Sequence, residues 1–420
     1  MKNMVQFGLA VLLMAVVISV VPVHAQTAPP ATQELPDLVN EALARNPELQ
    51  AMRQQWEAAS NRITQSRTLP DPTLGVQFWN FPESFNVTHA QNTIISLSQK
   101  FPFPGKLDLQ GEVAGRAAGI TEQALHAKER DLIARVKQTY YDLFFAHKAI
   151  QIHLDEIDLL KQFFEIAMAK FRTGKGSQVD VLKAQLEQST LHQELPVLEQ
   201  RRDTVQAKLN TLRDRDPHIS VSVPPDPVPI RFDGLPEDLY RLALGDRPEL
   251  KAAKLAIERN ERSRAFAERQ YYPDLEVAFQ RFQNFQAPDG FGAIAIVNLP
   301  FAFWTKPKYD ASVREAKAAA AAANADYHAW QNLTRFQINE LLAKVRAQER
   351  VAELYRTTIL PQAQQSLESA RAGYRTGRAD FLDLIEAERA LRELQLAYYR
   401  AVVERENQLA ALEQVTGSKF

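Results

Sequence analysis

Two carboxylates, Asp383 and Glu386, lie three residues apart in the stretch "YRTGRADFLDLIEAE". On a helix this spacing puts them on one face, where they concentrate negative charge. Asp383 also follows Asp380 by three residues, the spacing of a capping box at a helix N-terminus, so capping alone is sufficient to explain it. Glu386 lies one turn deeper, where capping explains it less easily.

The other residues that commonly carry chemistry do not indicate an enzyme. The sequence has no cysteine, which excludes disulfides, thiolate metal sites and a cysteine nucleophile. Its histidines form no HxxxH or HExxH pair, and His147 and His153, six apart, are interpreted as packing or surface residues. It contains neither a P-loop nor a GxSxG motif. We therefore predict no catalytic activity, no metal site, no cofactor and no use of ATP by this chain.

The composition is that of a folded, exported chain. Of its 420 residues 45% are hydrophobic and 24% are charged, enough to bury a core. The 51 acidic and 50 basic residues nearly cancel, which argues against a nucleic-acid binder with a strongly basic surface. Residues 1–25 have the lysine, the apolar run and the small-x-small end of a signal peptide cleaved after Ala25, with a single membrane anchor as the alternative. Gln26 follows the cut, so a lipid anchor at that position is excluded.

The stretch around Asp383 is the second copy of a motif. "FRTGKGSQVDVLKAQ" begins at Phe171, 203 positions before its counterpart at Tyr374, and "ARNPELQAMRQQW" matches "GDRPELKAAKLAI" at a shift of 201. The chain is therefore interpreted as a tandem duplication. Its predicted parts are a first repeat over 26–219, an extended proline-rich linker over 220–236 and a second repeat over 237–420. The first copy has Asp180 and Lys183 where the second has Asp383 and Glu386.

Each copy has the same predicted order of elements. A helix (47–67 and 248–269) begins with proline in its first turn, and two short strands, a very long helix, a glycine-containing turn and a return helix follow. The long helices extend over about 106–173 and 309–376, the second with a kink at Pro361. At 1.5 Å per residue each is about 100 Å long, which is typical of coiled-coil bundles. The apolar stripe of the first comprises Leu132, Val136, Tyr140, Leu143, Ile150, Leu154, Ile157, Phe164, Met168 and Phe171.

The predicted strands alternate with a period of two. In the first, Leu74, Val76 and Phe78 share one face, while Thr73, Gly75 and Gln77 share the other. The later strands repeat this pattern, with Ile95, Leu97 and Phe101 against Ser96, Ser98 and Lys100, and Leu275, Val277 and Phe279 against Glu276 and Gln280. Each strand is about ten residues long, enough to cross a bilayer when tilted. From the alternation alone, an ordinary soluble sheet is the better interpretation.

The long helices favour membrane-crossing strands over an ordinary soluble sheet. The number of strands adds a constraint. Four strands cannot close a barrel, since the smallest spanning barrels use about eight, and open sheet edges are not tolerated in lipid. If these strands cross a membrane, several chains must pool them. Three chains would supply twelve strands and a tube of long helices beneath.

The signal peptide, the duplicated order of elements and the repeated "RTG" turn together resemble the TolC-like outer-membrane efflux family, over essentially the whole mature chain. The resemblance implies a mixed fold of α plus transmembrane β. Long α-helices form a coiled-coil α-barrel, and four strands per chain contribute to a trimeric twelve-stranded β-barrel. The implied protein is a homotrimer in outer membrane lipid of a Gram-negative bacterium, extending into the periplasm. Its implied partners are a periplasmic adaptor (membrane fusion protein) and an inner-membrane pump of the RND type. "SQKFPFPGK", from Ser98, further resembles the junction of the branch that serves heavy-metal cation efflux.

The resemblance also assigns roles to residues. Turns between long and return helices lie at the periplasmic tip in this family, which gives as adaptor contacts Arg172, Thr173, Gly174, Lys175, Arg375, Thr376, Gly377 and Arg378. The alternative is that these residues only cap helices, which alone would explain the two glycines. Asp383 and Glu386 match the paired acids that form carboxylate rings at the narrowest part of the tunnel, where three copies would attract cations and bar anions.

The predicted function is the exit duct of a tripartite efflux system for small solutes, heavy-metal cations among them. Two alternatives stay open. An exit duct for a type I-like polypeptide secretion system shares the architecture. A periplasmic coiled-coil adaptor without a barrel is disfavoured by the alternating strands.

Overall fold

The computed structural model of the chain describes residues 34–80, 90–227, 231–284 and 288–418. The first half consists of α1 (Leu35–Arg45), α2 (Pro47–Arg67), β1 (Thr73–Trp79), β2 (Asn92–Phe101), α3 (Lys106–Arg172) and α4 (Gln178–Leu212). The second half consists of α5 (Pro236–Asp246), α6 (Pro248–Arg269), β3 (Leu275–Asn284), β4 (Gly290–Val297), α7 (Lys306–Leu354), α8 (Leu360–Thr376) and α9 (Phe381–Thr416). The two halves have the same order of elements, while the predicted signal peptide lies outside the described residues.

The helices that precede the sheet begin where proline predicts. Pro47 and Pro248 open α2 and α6, whose bounds match the sequence prediction. Asn46 caps α2, since its side-chain oxygen accepts from the backbone N–H of Glu48 at 2.9 Å and of Leu49 at 3.2 Å. The short helices α1 and α5 were not predicted as separate elements, and Pro236, placed in the linker, is the first residue of α5.

The two long helices differ in continuity. α3 runs unbroken for 67 residues. Its counterpart begins at Lys306, three residues earlier than predicted, and is divided by a π-helical turn over Tyr355–Ile359 just before Pro361. Proline has no N–H for the preceding turn, and the wider π-turn accommodates that loss. The sequence predicted a kink at Pro361, and the structure has a π-turn just before this residue.

The predicted apolar stripe of α3 is right in its first part and only partly right in its second, where Ile157, Phe164 and Met168 are half-buried against the core. Leu132, Val136, Tyr140 and Leu143 are buried. Leu154 and Phe171, however, are 45% and 42% exposed. The buried row in this part of α3 comprises Ile152, Glu156, Leu160, Phe163 and Ala167. The helix is apolar on more than one side there, and the packing of α4 and α9, which the sequence pattern does not contain, decides which side is buried.

The core near the turns joins both halves of the chain. Buried residues of α3, α4, α8 and α9 form one cluster, called here the tip-proximal core: Leu160, Phe163, Ala167, Val181, Ala184, Leu191, Leu367, Tyr374, Phe381, Leu384, Ile385 and Leu391. The helices of one copy therefore bury their apolar faces against those of the other.

The four strands form one antiparallel sheet in the order β1-β2-β3-β4. The two predicted hairpins lie side by side because β2 pairs with β3, which places Leu97 opposite Phe279. β1 and β4 are the sheet's edges, and neither has a second strand partner among the described residues. The pairing between the two copies was not predicted.

The apolar face of this sheet is exposed. Leu74, Val76, Leu97 and Phe279 are 72%, 55%, 54% and 55% exposed, and the strand register places them on the same face. A sheet of a soluble domain packs such a face against a core. Among the helices that the structure describes, none has both the length and the hydropathy needed to cross a membrane.

The "FPFPGK" stretch forms contacts that join the two halves of the chain at the base of the sheet. The Lys106 ammonium donates to the Asp274 carboxylate at 2.7 Å and to the Tyr272 carbonyl at 2.8 Å. The Phe103 ring stacks on the Tyr272 ring with centroids 4.6 Å apart. Gly105 precedes α3 with φ +86°, where a Cβ would lie 3.1 Å from the Arg269 guanidinium. The motif thus has a structural task at the junction of strands and helices.

Candidate functional site at the helical tip

The repeated "RTG" sequence builds the same turn twice. Backbone N–H groups of Lys175 and Arg378 donate to the carbonyls of Lys170 and Gly373, at 2.9 and 2.8 Å. Gly174 and Gly377 have φ of +68° and +78°, the left-handed geometry that ends a helix in this way. Nothing lies within 4 Å of a Cβ built on either glycine. Backbone conformation therefore requires these glycines, and space does not.

The threonines of the two turns have equivalent local bonds. The Thr173 hydroxyl contacts the Ala169 and Lys170 carbonyls, and the Thr376 hydroxyl contacts the Ala372 and Gly373 carbonyls, all at 3.1 Å. Each hydroxyl thus adds a second hydrogen bond to carbonyls of a last helical turn that already accept from backbone N–H groups. Both threonines have a capping role, whatever else they contact.

The basic residues of the turns are exposed. None of Arg172, Lys175, Arg375 and Arg378 forms an ion pair with any residue in the described ranges. Arg172 and Arg375 lie in the last turns of α3 and α8, where a positive charge is favourable beside the helix dipole. Lys175 and Arg378 lie beyond these helix ends and have no charged partner among the described residues.

The predicted pair of acids divides into two roles. Asp383 belongs to a capping box, and its carboxylate accepts from the Asp380 backbone N–H at 3.0 Å. Glu386 is exposed on α9 and has no ion pair or hydrogen bond with the rest of the described chain. Of the two acidic side chains, that of Glu386 is therefore the one without a bonding partner among the described residues.

The two helical hairpins are linked beside the turns. The Lys170 ammonium donates to the Tyr374 carbonyl and lies 4.2 Å from the centre of the Tyr374 ring. The Tyr374 phenol donates to the Asp180 carboxylate at 3.2 Å. Tyr374 is buried, and its desolvation, followed by the nearby Asp180 charge, raises its pKa, so it stays a donor.

A second link lies about two turns into the return helices. Arg389 of α9 holds Glu187 of α4 with two guanidinium nitrogens, one of them 2.8 Å from Oε1. Such a two-point contact fixes direction as well as distance. Together with the Tyr374 bond, it joins α4 to α8 and α9 at the level of the tip-proximal core.

Sequence reasoning missed two buried acids close to this link. Glu156 of α3 and Glu388 of α9 are 4% and 3% exposed. Each occupies a place in an apolar row, Glu156 between Ile152 and Leu160 and Glu388 between Leu384 and Leu391. A charged residue at a core position of a helical pattern was the signal that could have found them.

His153 has a packing role, one of the two roles interpreted from the sequence. His153 is buried, and its Nε2 lies 2.6 Å from the Leu191 carbonyl oxygen. Within the described ranges, no three or more His, Asp or Glu side chains are arranged to hold a metal ion.

Comparison with known proteins gives the fold and the site their context. The outer membrane efflux protein family matches residues 38–213 and 239–418, which covers most of both halves. The chain belongs to this family. The family is one of channels, and this efflux protein lies in the outer membrane and extends into the periplasm.

Individual relatives agree with that membership. The chain is 22% identical to the cobalt-zinc-cadmium resistance protein CzcC of Cupriavidus metallidurans, over 95% of this chain and 93% of that protein. It is 24% identical to nodulation protein T of Rhizobium leguminosarum bv. trifolii, over 92% of this chain and 86% of that protein. The solved structure of the channel CusC has a TM-score of 0.78 at 17% identity and covers 91% of both chains. The last similarity shows the fold: long helices with strands that contribute to a β-barrel.

Proposed function

We propose that three copies of this efflux protein form the exit duct of a tripartite system that removes heavy-metal cations. The observation that carries the duct is the sheet: one apolar face is exposed and two edges have no partner in the described chain. In lipid, every backbone N–H and C=O must be bonded, so such a sheet has to close with others. Three four-stranded sheets joined edge to edge make a twelve-stranded barrel with its apolar face outward.

The segment between β4 and α7 indicates where the membrane surface lies in this proposal. Phe303 and Trp304 are 82% and 72% exposed and contact each other edge to face with centroids 4.7 Å apart. Trp and Phe side chains are favoured where apolar chains meet headgroups. The segment continues the apolar sheet face beyond Val297, so its natural surroundings are the periplasmic leaflet of the outer membrane.

The exposed cations of the tip support a periplasmic adaptor as a binding partner. The four unpaired cations are Arg172, Lys175, Arg375 and Arg378, and they lie on two adjacent turns of identical geometry. Complementary charge at the rim of an interface steers association and sets its register. We place acidic or carbonyl-rich groups of the periplasmic adaptor against these turns. The RND-type pump then delivers solute through the adaptor into the tube.

Gating in this proposal is a movement of α8 and α9 together away from α4. This movement has to break the Tyr374–Asp180 contact between α8 and α4 and the Arg389–Glu187 contact between α9 and α4. Asp383 and Glu386 move apart with α9. Since the chain has no natural cysteine, cysteines introduced at exposed tip positions of neighbouring hairpins can be cross-linked cleanly. Cross-linking should abolish conductance, and unchanged current would contradict this gate.

The substrate class rests on charge and on one relative. Three exposed Glu386 carboxylates around a narrow passage would attract cations and repel anions. The similar protein CzcC is a cobalt-zinc-cadmium resistance protein. Heavy-metal cations fit both observations better than anionic solutes or polypeptides do.

The test is growth of a strain that lacks this gene on graded Co²⁺, Zn²⁺, Ni²⁺, Cu⁺ and Ag⁺, beside a panel of drugs and detergents. We expect selective sensitivity to metals that the wild-type gene restores. Sensitivity to drugs alone would be consistent with an efflux duct and would contradict heavy-metal cations as its substrate. Loss of a secreted polypeptide with normal growth on every panel would assign the duct to secretion instead.

A further inference from the structure

Glu156 and Glu388 place two carboxyl groups together where α9 packs against α3, a contact that neither the capping nor the aperture role uses. Both residues are almost fully buried. Both oxygens of Glu156 and Oε2 of Glu388 receive no hydrogen bond from the described residues. Arg392, one helical turn after Glu388 on α9, lies 3.2 Å from Glu156 Oε2, which places the Glu388 side chain beside Glu156. Each carboxyl accordingly affects the pKa of the other.

The surrounding charges do not neutralise the pair. From α9, Arg392 lies 3.2 Å from Glu156 Oε2, but it is shared with the half-exposed Glu194 of α4 at 3.6 Å. Arg389 of α9 is engaged by Glu187 of α4. From α3, His153 has its Nδ1 3.9 Å from Glu194. One shared guanidinium therefore faces two buried carboxyls.

A buried pair of this kind retains a proton at neutral pH. Two adjacent carboxylates with a single partial counter-charge are strongly disfavoured away from water. Burial, followed by the contact with Glu388, raises the pKa of Glu156 to about 9. Burial also raises the pKa of Glu388. With one proton present, one carboxyl donates to the other and the orphaned oxygens gain a partner.

We propose that Glu156 and Glu388 share one proton and that this shared proton holds α9 against α3, so that its loss in alkaline medium loosens the base of the tip. The consequence for gating rests on the proposed function, because α9 is one of the two helices whose movement would open the tube. Small ions pass the outer membrane through open pores, so the periplasmic end of the tube experiences external pH.

The direction in which pH changes the stability of the α3–α9 contact follows from the raised pKa values. A carboxyl whose pKa is higher in the folded chain than in the unfolded chain contributes its full packing stability at low pH, and this contribution is lost as pH rises through the folded value. For the Glu156–Glu388 pair, the contact between α9 and α3 is therefore expected to loosen progressively as the medium becomes alkaline. Acidic medium should leave the contact closed.

The test is hydrogen exchange by mass spectrometry on the trimer in lipid nanodiscs, between pH 6 and pH 9.5, corrected for the intrinsic pH dependence of exchange. The wild-type segment Phe381–Leu391 is expected to exchange at least about tenfold faster at the alkaline end, since each unit of pKa shift corresponds to a tenfold change in equilibrium. Glu156→Gln and Glu388→Gln each mimic the protonated acid and should flatten this pH response.

Glu165→Gln is the matched control, because Glu165 is an exposed acid on α3, nine residues after Glu156, and it forms no ion pair with the described residues, so this variant should retain the wild-type response. A wild-type segment without pH response would overturn the shared proton. So would an equal response in the Glu156→Gln/Glu388→Gln double variant. The readout is local and needs no transport, so failure of export would leave this test unaffected.

Discussion

The Tyr374 phenol on α8 donates a hydrogen bond to the Asp180 carboxylate on α4 at 3.2 Å, across the two copies of the duplication. Asp180 is the counterpart of Asp383, 203 positions later. The two aspartates have different tasks, because Asp383 caps its own helix while Asp180 binds the other hairpin. A symmetric sequence motif therefore makes an asymmetric contact, and this contact crosses the proposed gate.

Removal of the Tyr374 hydroxyl should favour the open tip. Tyr374→Phe retains the ring in the tip-proximal core and loses one hydrogen bond to a charged acceptor, worth about 1.5–3 kcal/mol. We expect single-channel open probability in planar bilayers to rise about tenfold or more. Asp180→Asn should have a similar effect, and the double variant should add little, as residues in direct contact are not additive. Additive effects would mean that the two residues do not act through this bond.

Substitutions at the turn glycines should be limited by backbone geometry and not by lack of space. Gly174→Ala has room for its Cβ but needs φ of +68°, so we expect a loss of about 1–2 kcal/mol in local unfolding free energy. Gly174→Asn should lose less, because asparagine tolerates this conformation. Gly115→Ala in the interior of α3, where a Cβ also meets nothing within 4 Å, is the control and should stabilise by about 0.5–1 kcal/mol. Hydrogen exchange of the amides around each substituted position measures the changes, and equal losses for Gly174→Ala and Gly174→Asn would contradict this account.

Reversal of charge at the tip should weaken adaptor binding without unfolding the turns. Arg172→Glu combined with Arg375→Glu is expected to lower affinity for the cognate adaptor about tenfold or more, mainly through a slower association rate. Surface plasmon resonance at two salt concentrations provides the measurement, and Lys at both positions should restore most of the binding. Arg62→Glu, an exposed charge on α2, is the control. If that control reduces binding as much as the tip variant, the contact is not at the tip.

Removal of the Glu386 charge should change the ion selectivity of the channel. Glu386→Gln is expected to reduce the preference of the channel for cations over anions, as measured by reversal potential in a salt gradient. Glu199→Gln, an exposed acid of α4 far from the turn, should leave the potential unchanged. Asp383→Asn should act mainly on the stability of the first turn of α9, because Asp383 is engaged in the capping box. An unaltered reversal potential in Glu386→Gln would remove Glu386 from the aperture.

The two faces of β1 should respond oppositely to charge. Val76→Lys places a cation on the apolar face and should destabilise the folded chain in lipid by about 2–4 kcal/mol. Gln77→Lys is its neighbour on the other face and should cost much less. Folding into vesicles, followed by urea titration, compares the two. Equal tolerance of both substitutions would contradict a lipid-facing surface at Val76.

Local features of this fold could be predicted from the sequence, and contacts between distant parts could not. Proline at Pro47 and Pro248 gave the starts of two helices, and the glycines gave the ends of the long ones, because these residues act on the backbone where they stand. The capping box of Asp380 and Asp383 was predicted for the same reason. The pairing of Leu97 with Phe279 and the contact of Glu156 with Glu388 join distant positions, which no local pattern encodes.

The second half of the α3 stripe illustrates the same limit. Leu154 fits a helical row as well as Glu156 does, and hydropathy alone favours Leu154 for the interior. The packing of α9 on α3 reversed that choice, because the helix buries the side that its neighbours cover. Tertiary contacts override local preference here. Glu156 consequently stood outside the predicted site, although its position in the buried row makes it chemically distinctive.

The most direct test of the proposed duct is native mass spectrometry of the wild-type protein released from lipid nanodiscs. Three chains that pool their strands into one barrel predict a single species with three times the mass of the mature chain, stable until the lipid is removed. A monomer or a dimer as the folded, lipid-bound species would leave the edges of β1 and β4 open in the membrane and would contradict the account.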